Sequence, residues 1–300
     1  MENKNENIIK TQNPTGFKVI TREFRKDKLA LTCLILLLAF MLFIIIANIY
    51  VRVTGMYDSF FVIDILNQYA KPGKDFILGA DSGGRSIAGW LILGTFNSVT
   101  IGVCVTIITT TVGIIVGLVL AYFGGVVDNV AMRIIDFISL IPTLLFIIVF
   151  VSISRNYGVA TFILILSCFA WIGTARLVRS KALSEARRDY VLASKTMGTN
   201  ALSIMFKGIL PNISSIIVVD TTLTLAGNIG IETSLSFLGF GLPTGTPSLG
   251  TLIAYANNST NILQRMYLWL PAALVILFLM LCINYIGQAL RRCLDAKQRS

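Results

Sequence analysis

Residues 79–86 read GADSGGRS, one substitution away from the G-x-x-x-x-G-K-[ST] loop that cradles phosphate oxygens with backbone amides. Gly79, Gly84 and Ser86 occupy their places in that pattern, and Arg85 stands where the lysine belongs. Phosphoryl chemistry would also need a β-strand feeding the loop, and no strand pattern precedes it. Other reactive groups are sparse. The chain has no histidine, which removes the commonest metal ligand, the usual general base and the His-based triads. Its five cysteines, Cys33, Cys104, Cys168, Cys282 and Cys293, are scattered singly without a C-x-x-C pair, so no zinc site or disulfide framework follows. Asp220 and Glu232 remain, two carboxylates set in an apolar run, where an acid is a candidate for a water-filled pathway.

The elements that position these groups are membrane helices. Of 300 residues, 55% are hydrophobic and 13% charged, too few charges to solvate so much apolar surface. Apolar runs long enough to cross a hydrocarbon core of about 30 Å lie near 29–51, 95–122, 135–154, 158–178, 213–235 and 269–289. The first follows a polar segment too long for the n-region of a signal peptide, so it is expected to stay as an anchor. Nineteen Lys and Arg residues fall on one side of these six spans and six on the other. The basic side is expected to be cytoplasmic, with both termini there. The net charge of +10 is thus largely a topology signal and gives no evidence for nucleic acid. On this placement GADSGGRS lies outside the cytoplasm, where ATP is scarce. It reads as a glycine turn held by Arg85 just before the second span.

The longest cytoplasmic connection, residues 177–212, has helical character. Leu183, Ala186, Tyr190, Ala193 and Met197 recur at three- and four-residue spacing and predict one apolar stripe. Gly198 is placed for a left-handed C-terminal cap. Thr199 or Asn200 is placed to cap a second short helix, which Pro211 is expected to close. The stripe either lies on the protein's own helices and the lipid interface or docks a cytoplasmic partner.

Tyr190, Ala193, Gly198, Leu210 and Pro211 carry a resemblance here. The segment is similar to the E-A-A, three residues, Gly, nine residues, Ile, one residue, Leu-Pro pattern of ATP-binding-cassette (ABC) importer permeases. Leu192 stands for the Glu, Ser194 for the second Ala and Gly208 for the Ile. Packing by Tyr190, Ala193 and Met197 is therefore expected to carry more of the contact than a charge would. Leu78-Gly79-Ala80-Asp81 with Gly84-Arg85 resembles the L-G-T-D-x-x-G-R segment of the oligopeptide/dipeptide permeases, C-type subunit. So do Tyr122-Phe123-Gly124-Gly125, Asp128, Met132-Arg133, Asp136 and Ile141-Pro142. Glu232, Leu235-Ser236-Phe237-Leu238-Gly239 and Pro247-Ser248-Leu249-Gly250 complete the set.

The resemblance implies an all-α integral membrane protein of six transmembrane helices with the type I ABC importer permease fold. It implies a coupling role for Tyr190, Leu192, Ala193, Ser194, Met197, Gly198, Leu210 and Pro211. The implied partners are a B-type permease, two cytoplasmic ATPases that hold the ATP and magnesium, and an extracellular peptide-binding protein. This chain itself is expected to need no cofactor and to sit multi-pass in the cell membrane among lipid. The implied cargo is an oligopeptide or dipeptide; nickel or another small solute is the alternative within the family, and an ion-coupled secondary transporter the alternative outside it. The expected division is a tail over 1–28, a first helix over 29–51, an extracellular segment over 52–94, a core over 95–289 with its loop at 179–212, and a tail over 290–300.

The fifth span, 213–235, is the most polar. At about 100° per residue, Asp220, Thr221, Thr224, Asn228 and Glu232 share an arc of roughly 120°. Two readings fit: the arc borders a translocation path, with Asn228 and Glu232 at its edge, or it holds helices together by hydrogen bonds. Gly113 and Gly117 in the second span form G-x-x-x-G and are expected to allow close helix packing.

Overall fold

The computed structural model describes residues 24–154, 157–243 and 245–299. Most of the basic N-terminal tail, and Arg155, lie outside the described residues. Among the described residues five helices are long and apolar enough to cross a membrane, six if the bent pair over 125–153 is counted as one span.

Helix α1, Lys28–Val53, starts at an Asp27 cap whose carboxylate accepts the Ala30 N–H at 3.1 Å. The same carboxylate accepts from Arg292 at 2.8 Å, which ties the first helix to the last. Helix α2, Ile87–Phe123, runs 37 residues, about 55 Å at 1.5 Å per residue. It begins inside the stretch expected to be extracellular, because Ser86 caps it by accepting the Gly89 N–H.

The third span departs most from expectation. Instead of one helix over 135–154 there are two, α3 (Gly125–Ser139) and α4 (Thr143–Ile153), bent by 73°. Pro142 lies at the break: it lacks an N–H and pushes Ile141 out of helical geometry. Helix α5, Val159–Ala186, leads into the loop, where α6, Asp189–Thr196, lies alone.

Pro211 does not end a helix either. The chain is helical from Ala201 onward, passes through a π-helical segment at Ile204–Ile209 and continues as α7, Leu210–Phe237. The Leu210 N–H bonds back to the Met205 carbonyl, one residue further than in an α-helix. That wider turn gives room for a proline ring that would collide with the carbonyl four residues back in a tight one. Helix α8, Leu249–Ile253, opens with a reciprocal Ser248–Thr251 capping box. Helix α9 spans Leu270–Arg299, so the expected C-terminal tail is largely helical.

The bundle is organised around α2 and α7. Gly113 and Gly117 set α2 directly against α5: a Cβ on either would come within 2.8 Å of Thr174 Cβ or 2.7 Å of Val178 Cβ. Gly102 admits Ile229 of α7 in the same way, at 2.4 Å. Between α2, α7 and α9 a buried cluster that includes Leu249, Leu252, Leu268 and Leu279 forms the core at one end. A second cluster, including Leu118, Val178, Val191 and Ile209, forms the core beneath the loop.

Candidate docking elbow and polar helix face

The loop is a rigid elbow. Helix α5 ends at Ala186, and α6 restarts at Asp189, so the stripe read from the sequence is broken into two parts. Ala186 is buried in the bundle and Leu183 packs against the same cluster, whereas Tyr190, Ala193 and Met197 are exposed. What anchors α6 is Val191, completely buried against Ala182, Ile204 and their neighbours. Gly198 has φ 76°, and the Thr199 N–H reaches the Ser194 carbonyl at 3.1 Å, closing the helix as a left-handed cap does. Asn200 then caps the next turn by accepting the Leu202 N–H at 3.1 Å. Leu210 and Pro211 stand where that second arm enters α7.

Tyr190 joins the arms. Its hydroxyl donates to Glu185 of α5 at 2.9 Å and accepts from the Asn212 amide at 2.8 Å. Partial burial, then the Glu185 hydrogen bond, pushes this phenol up, so it keeps its proton at neutral pH. Arg188 adds an ion pair to Glu185 at 3.0 Å, and Lys195 lies over the Tyr122 ring at 4.5 Å. The outward face keeps its apolar surface open, with Leu192 48% and Met197 76% exposed.

Sequence reasoning missed the clamp behind the elbow. Arg179 forks onto both oxygens of Asp128, and Arg176 bonds Asp136 at 2.9 Å. The fork is a bidentate, charge-assisted pair. Both arginines were legible only as topology charges. Their spacing of three on α5, and of eight between the aspartates on α3, puts each pair on one helix face, a signal that was present.

On α7 the polar arc turns inward. Asn228 donates to Thr106 of α2 at 2.9 Å, and Glu232 is fully buried, accepting from Ser236 at 2.8 Å with Ser98, Ser248 and Thr233 around it. Of the two readings of the arc, this conformation shows Asn228 and Glu232 turned into the bundle. In an apolar bundle they find hydroxyl partners and act as struts. Ile229, next to Asn228, is buried as well. The face left open runs through Gly227, Ile231, Ser234 and Leu238, with Asp220 and Thr224 half-buried on its line. Asp220 accepts from Thr174 of α5 at 2.8 Å.

At the far end of the bundle, GADSGGRS is a closed turn. An antiparallel bridge joins Ala80 and Ser86, with Gly79 at φ 83° and Gly84 at φ 74°. Asp81, 1% exposed, accepts the Gly83 and Arg85 N–H groups, the Arg85 guanidinium and the Tyr255 hydroxyl, at 2.7–2.9 Å. Arg85 also lies 4.1 Å over Trp90. Its charge and amides are spent internally, which leaves no phosphate cradle.

Residues 110–300 match the family described as binding-protein-dependent transport system inner membrane component. The chain is 45% identical over 280 residues to the oligopeptide transport system permease protein OppC of Lactococcus lactis subsp. lactis, covering 93% of this chain and 94% of that one. The protein of the same name from Bacillus subtilis is 34% identical, over 92% and 88%. The dipeptide transport system permease protein DppC of Lactococcus lactis subsp. cremoris is 35% identical over 237 residues, 78% of this chain and 68% of that one. Among solved structures, the MetNI methionine ABC transporter in an inward-facing conformation aligns with a TM-score of 0.55 at 21% identity, over 69% of this chain and 97% of that one. At that identity the likeness is one of fold.

Proposed function

This chain belongs to the family of binding-protein-dependent transport system inner membrane components, and from that premise we propose that it is one permease half of an ATP-driven importer of oligopeptides or dipeptides. It is a multi-pass membrane protein with an ABC importer permease fold and is not itself catalytic. The names of its relatives support peptide as cargo. The excess of Lys and Arg at the elbow end supports a cytoplasmic position for the elbow and both termini.

The observation that carries the reading is the contrast between the two faces of α6. Val191 is locked into the bundle while Leu192 and Met197 remain exposed on the other side. Two partner ATPases, holding ATP and magnesium, would grip that outer face and so move a rigid body. Tyr190 would pass the motion to α5 through Glu185 and to α7 through Asn212, and the Asp128–Arg179 clamp would carry it to α3. The open face of α7, with Asp220 and Thr224, would then meet the B-type permease across the pathway. An extracellular peptide-binding protein would deliver cargo at the opposite end. Nucleotide state drives the switch only if the ATPases hold the elbow differently in its two positions.

Gly198→Val tests this. A Cβ at Gly198 meets nothing within 4 Å, so the change acts only through the left-handed backbone, at roughly 1–3 kcal/mol. Loss of both peptide uptake and ATPase co-purification is expected, with Gly198→Asn, which tolerates that backbone, retaining them. Normal uptake with normal ATPase association in Gly198→Val overturns the docking role.

A further inference from the structure

At the elbow end, α5, α7 and α9 enclose a cleft of about 550 Å3 whose cations the transport reading does not use. Three cations line it from three segments: Lys181 on α5, Arg188 in the α5–α6 link and Arg291 on α9. The lining acid, Glu185, is already engaged by Arg188 at 3.0 Å and Tyr190 at 2.9 Å. Among the residues whose side chains are described, through Leu294, Lys181 and Arg291 have no carboxylate partner. The hydroxyls of Ser184 and Ser215 add hydrogen-bonding groups.

The remaining lining is apolar. Leu177, Ile213, Ile216 and Leu294 line the cleft, and Leu177 and Ile216 sit within the runs read as spans. A site with cations from three segments and hydroxyls beside a membrane-level apolar wall matches an amphiphile that joins a phosphate to hydrocarbon. A peptide carboxylate would use the cations but leave the wall unexplained. A free phosphate would do the same.

We propose that this cleft binds the phosphate head group of an anionic phospholipid of the elbow-side leaflet, with Lys181 and Arg291 as its principal contacts. Bound there, the lipid would span α5, α7 and α9 beside the Glu185–Tyr190–Asn212 junction, so the membrane's anionic lipid would bear on how firmly the elbow is held. The inference concerns lipid alone and does not depend on which cargo is carried.

The test uses the full-length chain in its complete importer complex, delipidated in an uncharged detergent. Titration with dioctanoyl-phosphatidylglycerol and dioctanoyl-phosphatidylcholine, with native mass spectrometry to count bound lipids, measures the preference. Two cationic contacts near a membrane surface predict about thirty-fold tighter binding of phosphatidylglycerol at one site. Lys181→Ala with Arg291→Ala is expected to abolish that site, and the charge-preserving Lys181→Arg with Arg291→Lys to keep it. Lys71→Ala with Lys74→Ala, from the opposite end, is expected to leave it unchanged. Equal binding of both lipids, or an unaltered site in the alanine pair, overturns the proposal. Loss of the site in the charge-preserving pair overturns it as well. Displacement of the lipid by inorganic phosphate, or by a tripeptide at similar concentration, overturns the lipid assignment in favour of that ligand.

Discussion

The two ends of this bundle handle their polar and apolar groups in opposite ways. At the Asp81 turn, four donor groups close on one carboxylate, and a Cβ on Gly84 would fall 2.0 Å from the Asp64 carbonyl oxygen. All four come from the chain itself. At the Gly198 elbow, one buried valine and one tyrosine hold the element in place, and leucine and methionine face outward. A segment that satisfies itself is a structural fastening. A segment that is firmly seated yet leaves apolar area open is shaped for contact. The resemblance of GADSGGRS to a phosphate loop fails for this reason, since chemistry needs groups that remain available.

Four substitutions probe the contrast through thermal or denaturant stability of the purified protein. Asp81→Ala is expected to cost most, about 3–5 kcal/mol, because it strands Arg85 and the Tyr255 hydroxyl in a tight turn. Burial, then the Asp81 charge, pushes the Tyr255 phenol well above its ordinary range, so it has remained a donor. Gly117→Leu, between the two ends, is expected to cost about 2–3 kcal/mol by forcing α2 off Val178. Tyr190→Phe removes two hydrogen bonds at a partly solvated site and is expected to cost about 1 kcal/mol. It should lower uptake more than its stability loss explains. Met197→Ser is expected to shift stability by less than about 0.5 kcal/mol while weakening ATPase co-purification. The contrast breaks if Met197→Ser destabilises the fold as much as Asp81→Ala does.

What the sequence revealed follows the range of the interactions. The spans, the left-handed Gly198 and the Asn200 cap rest on neighbours a few residues apart, and composition or residue type carries them. The Gly113–Gly117 pair was also readable, since small residues four apart form one helix face. The Asp81–Tyr255, Asn228–Thr106 and Asp128–Arg179 partnerships join residues far apart in the chain, and no local pattern identifies the partner. The break at Pro142 was legible but was overridden by the hydrophobicity around it. The inward turn of Asn228 and Glu232 was not, because an arc of polar residues has the same spacing whether it meets water or hydroxyl side chains.

The widened turn at Ile204–Ile209 has a further consequence. It holds one residue more per turn than its flanks, so it sets the angular phase between the elbow and the fifth span. Rewinding the same six residues as an ordinary α-helix would rotate one arm against the other by about 100°. The outward face of α6 and the open face of α7 would fall out of step. The segment behaves as a timing mark, and it is the winding of these six residues that keeps it.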